Sequence, residues 1–288
     1  MKLRDFVNYV LLTLIWGFSF LMILKVAQAF GWAGAAAFRC LVAGCTLLAA
    51  GFVTGRLPDF RTGWRPFLVI GASTMAAQFI GLSLATPRIG TAMAAIFAAA
   101  IPLFSMIMAA LWGIERLSLK GVLGLLLGFF GMFMLVGFPV VPVTGAFLFG
   151  CGASLFASLA AAFGSNFASL HLRGAGAFET TTGAFLSGGV MLLPLLFFVP
   201  VPSLPEPVDY LYLLILGVFM SALAYFMYFR LVSAIGPTRA ISVEFSTTVL
   251  AVLIGTGLLG ESLSLIQMVG ACVILFSCAL VLGLLSNG

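Results

Sequence analysis

Charge is scarce in this chain. Only 7% of its 288 residues are Asp, Glu, Lys or Arg, against about 25% in an ordinary soluble domain. Histidine is nearly absent: His171 is the single one, so a metal centre or a histidine-based catalytic site has little to be built from. The five cysteines (Cys40, Cys45, Cys151, Cys272 and Cys278) lie inside apolar runs, form no CxxC and are odd in number. They read as small buried hydrophobes rather than disulfides or metal ligands. No GxxxxGK[ST], HExxH or GxSxG pattern occurs, which removes the usual signatures of a nucleotide-hydrolysing domain, a zinc hydrolase or a serine hydrolase. The longest polar stretch, residues 54–66, is too short to hold a soluble domain, so no ATPase domain, no cofactor and no metal are expected. The net charge of +5 does not signal a nucleic acid partner, because the basic residues fall in connections between apolar runs.

What is abundant is apolar side chain, 63% of the sequence, distributed over its whole length. A bilayer core takes about 20 apolar residues per helix, and backbone polar groups in lipid must be paired within helices or a closed barrel. Barrel strands alternate apolar and polar; here apolar residues run on unbroken, as from Leu123 to Val136, so helices are expected. Ten spans fit, at roughly 6–26, 33–53, 66–85, 90–112, 120–138, 145–169, 178–199, 208–230, 237–260 and 264–285, each near the length a bilayer demands. The basic start followed by an apolar run resembles a signal peptide, but the run is long and lacks a small-residue cleavage site, and it is expected to be a retained first span.

With the N-terminus in the cytoplasm, the inner side receives Lys2, Arg4, Arg56, Arg61, Arg65, Arg116, Lys120, Arg173, Arg230 and Arg239, and the outer side Lys25 and Arg88. That bias satisfies the positive-inside rule and places both termini in the cytoplasm.

The chain repeats itself at a shift of 146 residues. Ile89-Gly90 falls on Ile235-Gly236, Glu115 on Glu261, Leu117-Ser118-Leu119 on Leu263-Ser264-Leu265, Gly124 on Gly270, Phe130 on Phe276 and Gly137 on Gly283. Near the start of each half, Trp16-Gly17-Phe18-Ser19-Phe20 resembles Phe163-Gly164-Ser165-Asn166-Phe167. Five spans per half force the halves into opposite orientation, and the charges follow: the basic loop with Arg56, Arg61 and Arg65 has as its counterpart a loop with Glu206 and Asp209 and no base. The expectation is an all-α integral membrane protein of ten transmembrane helices in two inverted five-helix repeats, residues 1–140 and 141–288. Such inverted repeats point to alternating access, with a site between them.

These residues carry a resemblance to the EamA family of the drug/metabolite transporter superfamily: the early Trp16-Gly17, Phe38-Arg39 opening the second span, and the doubled segment ending in an acidic residue and then Gly. Within it the chain is most similar to the YddG-type exporters. The resemblance spans nearly the full length. It implies a central cavity lined by the first four helices of each half, export of amino acids (notably aromatic ones) and related metabolites, and a place in the inner membrane as a multi-pass protein. One departure is visible. The family often has Pro mid-helix in the fourth helix of both halves; this chain has Pro102 in the first half and Thr248 at the matching position, so a kink is expected in one half only.

Glu244 is the sharpest site candidate. An acidic residue inside a span is costly and usually faces a cavity or a partner; it suits a substrate ammonium or a coupling proton, or else pairs with Arg39 or Arg239. Arg39 itself could hold a carboxylate, but helix packing or snorkelling to the outer interface is the expectation. Trp16 lies mid-span, away from the interfacial belts where Trp is usual. Helical spacing puts Phe20 on its face, and Phe163 and Asn166 share a face on the repeat-related helix. Gln78 and Phe79 in the third span and Tyr225, which matches Phe79, and Tyr228 in the eighth carry amides, rings and phenols that bind solute or glue helices. The substrate-binding set is therefore Trp16, Phe20, Gln78, Phe79, Phe163, Asn166, Tyr225 and Glu244, and the partners are a small-molecule substrate (amino acids or related amphipathic metabolites) and the lipid bilayer. Two alternatives stand beside amino acid export: efflux of cationic drugs or quaternary amines, for which Glu244 and Trp16 serve equally, and a non-transporting scaffold or receptor. The close packing expected of Gly124 and Gly128, and a capping or loop role for Glu115 and Glu261, belong to structure rather than chemistry.

Overall fold

The computed structural model describes residues 3–55, 58, 63–113, 119–137, 142–172, 174–235, 240 and 243–281. Glu115 and Arg239, and half of the basic residues used above to orient the chain, lie outside the described residues. Among those described, every regular element is helical and no strand occurs. Six helices are long and apolar enough to cross a membrane, and three shorter apolar helices accompany them.

Helix α1 is Leu3–Thr54. Unbroken, it would measure about 78 Å, far longer than a bilayer core is thick. Gly31, at φ 70 and ψ 169, breaks it into two limbs; the positive φ is open to glycine without a Cβ penalty, and the Pro202 ring packs against this corner. The loop expected at residues 27–32 thus shrinks to one residue. Helix α2, Arg65–Ile89, follows, and Gly90 at φ 83 makes the corner into α3, Thr91–Leu111. Then come α4, Leu119–Gly137, and α5, Gly145–His171, whose start is capped by the Thr144 hydroxyl accepting from Phe147 N. Helix α6, Ala177–Phe198, is succeeded by α7, which runs from Pro207 to Ile235. Helix α7 begins where it does because Glu206 and Asp209 form a reciprocal capping box with Pro207 in the first turn, a position where the missing proline N–H costs nothing. Helices α8, Val243–Leu258, and α9, Leu265–Val281, end the described chain. Ser264 and Gln267 form a second reciprocal box at the start of α9.

Two helices carry a wide π-helical stretch: Gly71–Ala77 in α2 and Ile215–Leu223 in α7. The first, moved on by the 146 residues at which the sequence repeats, lands on 217–223, inside the second. Such stretches recur at functional sites.

Helix α3 is interrupted at Ala99–Ala100, between Thr91–Ala98 and Ile101–Leu111, with Pro102 at the start of the lower segment. Proline has no N–H to offer the preceding turn. Hydroxyls from neighbouring helices come to the carbonyls beside the break: Ser158 of α5 donates to Phe97 O at 2.9 Å and Thr248 of α8 to Ala95 O at 3.1 Å. Both carbonyls also accept from the backbone, Phe97 O from Ala100 N and Ala95 O from Ala99 N, so the hydroxyls add second bonds that tie α3 to α5 and α8. Helix α8 passes through Thr248 without interruption, so the kink is present in one half only.

Small residues let the helices approach. A Cβ on Gly17 would meet Leu250 of α8, one on Gly44 would meet Leu186 of α6, and Gly131 lies against Gly270 O and Ile274 of α9. Gly128 lies against Leu103 and Ser277. Without a hydrophobic drive between helices in lipid, such close van der Waals contact is the main source of association. The outward surface is apolar: Leu126, Phe133, Phe197 and Phe198 are all more than 60% exposed, which suits acyl chains and not water.

Candidate functional site

A cavity opens between α1, α2, α3, α5, α7 and α8. Its lining is Trp16 of α1, Thr74 and Gln78 of α2, Ile101 of α3, Ala161, Gly164 and Ser165 of α5, Tyr225, Tyr228 and Phe229 of α7, and Glu244 of α8. The break in α3 sets Ile101 at its wall, and the π stretch of α2 carries Thr74. In this conformation the cavity is narrow, about 30 Å³, room for a water or two and far from the roughly 300–1,000 Å³ of a ligand-filled pocket.

Its walls are rings with few polar atoms. Trp16 is buried and meets Tyr225 edge-on with centroids 5.4 Å apart, and Tyr228 at 5.3 Å. Tyr225 Oη donates to Gln78 Oε1 at 3.5 Å. Thr74 Oγ1 is buried with no hydrogen-bond partner among the described residues, and a buried hydroxyl left so is an exception that asks for a reason. It packs directly on Gly164, where a Cβ would collide with it. Glu244 lies in the first turn of α8, half-buried. Among the described residues it has no cation within ion-pair distance; the single ion pair found there is Arg4 with Asp5. The arrangement offers one carboxylate, an amide, several phenol and hydroxyl groups and a set of aromatic faces, which can hold an amphipathic solute but supply no nucleophile–base pair.

Four of the eight residues singled out from the sequence, Trp16, Gln78, Tyr225 and Glu244, line this cavity. The other four go elsewhere. Phe20 is buried in the apolar packing around α3 and α5. Phe79 stands one layer behind the lining, 6.1 Å from both Tyr225 and Phe185. Phe163 meets Trp112 edge-on at 5.4 Å and stacks with Phe167 at 6.2 Å. Asn166 spends its amide N–H groups on Ser105 Oγ at 2.8 Å, Ser105 O and Ala162 O, which ties α5 to α3. On α5 the cavity face is instead Ala161, Gly164 and Ser165, small residues without a chemical signal in the sequence. Thr74 and Phe229 were also missed; Thr74 stands four residues before Gln78, a spacing that could have flagged it.

Arg39 does not snorkel to an interface. It is 5% exposed, its Nε donates to Ser221 Oγ at 2.6 Å, and its guanidinium carbon sits 3.7 Å from the centroid of the Phe79 ring. Far from this centre, the Glu261 carboxylate, from the corner between α8 and α9, accepts from Thr91 N at 2.6 Å, Thr91 Oγ1 at 2.9 Å and Ala92 N at 2.8 Å. It caps the start of α3, satisfying donors that a helix N-terminus leaves open.

Residues 7–137 match the EamA-like transporter family, and residues 148–283 match it again. Among curated proteins, Protein PecM of Dickeya dadantii (strain 3937) is 30% identical over 98% of this chain and 92% of its own length. The Uncharacterized inner membrane transporter YedA of Escherichia coli (strain K12) is 29% identical over 94% of this chain and 88% of its own. A solved crystal structure superposes with a TM-score of 0.70 at 18% identity, covering 97% of this chain and 96% of that one; it shares the fold.

Proposed function

We propose that this chain, which belongs to the EamA-like transporter family and lies in the inner membrane as a multi-pass protein, exports amino acids, notably aromatic ones, and related small metabolites. Transport runs by alternating access through the cavity between two inverted five-helix repeats, residues 1–140 and 141–288. The ten spans of the repeats are the two limbs of α1 and helices α2 to α9, with both termini in the cytoplasm. The family match falling once on each half and the π stretches standing at repeat-equivalent places support the repeat. The swap of basic for acidic loops supports its inversion.

The observation that carries the substrate class is the lining itself. Trp16, Tyr225, Tyr228 and Phe229 offer faces for a flat apolar group, and Gln78 and Glu244 offer an acceptor and a carboxylate for an ammonium. The narrow cavity is the closed stage of the cycle, and its rings part to admit solute. Efflux of cationic amphiphiles is the second reading, favoured by Glu244 standing beside the cavity's aromatic rings with no cation among the described residues to pair it.

Proteoliposome flux of an amino acid panel, with and without a pH gradient, tests the reading. Phenylalanine, tyrosine and tryptophan are expected to move faster than glycine or glutamate, and flux of quaternary amines alone would replace amino acid export with the cationic reading. Cysteines introduced at Phe60 and Glu206 are expected to label from opposite faces; labelling from one face would remove the inversion.

A further inference from the structure

Arg39 is a charge in the interior of the chain, without a counter-charge among the described residues. Intramembrane arginines usually pair with an acid or with backbone carbonyls. Among the described residues Arg39 has neither: its one hydrogen bond goes from Nε to the Ser221 hydroxyl, and its remaining contact is the face of Phe79. Ser221 is fixed in turn, because its hydroxyl donates to Leu216 O at 2.8 Å within the π stretch of α7. A lone pair of that hydroxyl therefore stays aimed at Arg39, and the Nε side of the guanidinium is committed. The two terminal nitrogens, the pair that makes a bidentate fork with a carboxylate, have no hydrogen-bond partner among the described residues.

The position of this group relative to the cavity follows from the rings. Phe79 contacts both Arg39 and Tyr225, and Tyr225 and Gln78, next to Phe79 in sequence, both line the cavity. Tyr225 lies within electrostatic reach of Arg39 and of Glu244 alike. Tyr225 thus neighbours both Arg39 and Glu244, and neither has a counter-charge among the described residues. An aromatic face is a weak companion for a guanidinium compared with a charge-assisted, bidentate carboxylate. Tyr225 and the other lining rings must part for a cavity of about 30 Å³ to take up an amino acid, and Phe79 packs directly behind Tyr225.

We propose that Arg39 is the carboxylate anchor of the transport site, uncovered when Phe79 swings aside, so that the substrate must carry a carboxylate and is a zwitterion whose ammonium turns toward Glu244. This rests on the export reading above and narrows it, since a simple amine or quaternary ammonium would leave Arg39 buried and unpaired.

The test is an analogue series in proteoliposomes, with labelled phenylalanine competed by unlabelled phenylalanine, phenylalanine methyl ester, phenethylamine and 3-phenylpropionate. Wild-type protein is expected to prefer phenylalanine to the ester and the amine by about tenfold or more, the worth of one hydrogen bond to a charged group, with phenylpropionate competing measurably. Arg39→Gln is expected to raise KM for phenylalanine by a similar factor and to erase the preference, with Arg39→Lys recovering part of it. Equal competition by phenylalanine, ester and amine in wild-type protein would overturn the anchor while leaving transport intact, and so would an unchanged KM and preference in a well-inserted Arg39→Gln protein. If the Arg39 variants fail to insert, the wild-type series and Ser221→Ala, which frees the side chain without removing its charge and should weaken the preference, decide the question alone. Flux of phenethylamine without any flux of phenylalanine would instead overturn the amino acid reading itself.

Discussion

Replacing Glu261 by alanine removes the acceptor shared by three donors at the start of α3: Thr91 N, Thr91 Oγ1 and Ala92 N. Thr91 is fully buried, whereas Glu261 is half-buried, so water can reach some but not all of what the carboxylate leaves behind. A hydrogen bond to a charged group contributes about 1.5–3 kcal/mol and a lost helix cap typically costs about 1 kcal/mol. Allowing for partial replacement by water, the three together amount to about 2–3 kcal/mol, a fall in melting temperature of about 4–12 °C for a chain of this size. Glu261→Gln keeps one acceptor oxygen and loses the charge, and should fall between the parent and the alanine variant. The assay is thermal unfolding in detergent followed by tryptophan fluorescence, with flux in proteoliposomes alongside. Because Glu261 comes from the α8–α9 corner and Thr91 from the start of α3, the contact ties the two halves of the chain together. On the proposed topology it does so at the outer face, so the alanine variant should also label more readily from outside at a cysteine placed beside Gly90. Unchanged melting together with unchanged labelling would refute the reasoning, since both follow from the same three bonds.

Other substitutions separate lining from packing. Glu244→Gln should change the relative rates of charged and neutral substrates without preventing insertion, and identical kinetics for both would remove its assigned role. Trp16→Ala should weaken flux of aromatic substrates more than aliphatic ones; equal losses would make it a packing residue. Gly164→Ala places a Cβ against Thr74 Oγ1 and Ser73 Oγ, an overpacking of about 1–3 kcal/mol at the cavity wall, and should lower flux in protein that still reaches the membrane, whereas parental flux would show that α5 has room to shift. Pro102→Ala returns an N–H to the break in α3 and should stiffen it, slowing flux at equal or higher melting temperature; parental flux would show that the break takes no part in the cycle.

The helices were legible because lipid leaves the backbone few alternatives, and a run such as Leu123 to Val136 has no other use. The faces of those helices were much less legible. In water a helix sorts apolar from polar around its axis, but here lipid, neighbouring helices and cavity all accept apolar side chains, so periodicity says little about which face meets which. Phe163 and Asn166 looked like cavity residues by analogy with Trp16 and Ser19, yet the lining of α5 is the neighbouring face of Ala161, Gly164 and Ser165, where only the absence of bulk marks the site. Glu244 was found because charge within a span is rare enough to stand out. The same logic pointed at Arg39, and what the sequence withheld was its surroundings: only the packing of Phe79 and Ser221 distinguishes a buried, unpaired guanidinium from one that reaches an interface.

The π stretches explain part of that limit and bear on the mechanism. A wide turn adds a residue to the helix and rotates everything beyond it, so the faces of α2 and α7 cannot be extrapolated through Gly71–Ala77 or Ile215–Leu223 from either end. These turns sit in both halves, whereas the break at Pro102 in α3 has no counterpart in α8, which is continuous from Val243 to Leu258. The two halves thus share an irregularity in α2 and α7 and differ between α3 and α8. Glu261 pins the upper segment of α3, Ser158 and Thr248 bond the carbonyls next to the break, and Asn166 holds Ser105 of the lower segment, so the interruption at Ala99–Ala100 is where α3 can bend, with Ile101 beside it on the cavity wall. Two identical gates would need the same pivot in α8, which the unbroken turn at Thr248 does not provide, so the alternating access proposed above predicts unlike gates, with α3 bending at its break on one face and the continuous α8 moving as a unit on the other.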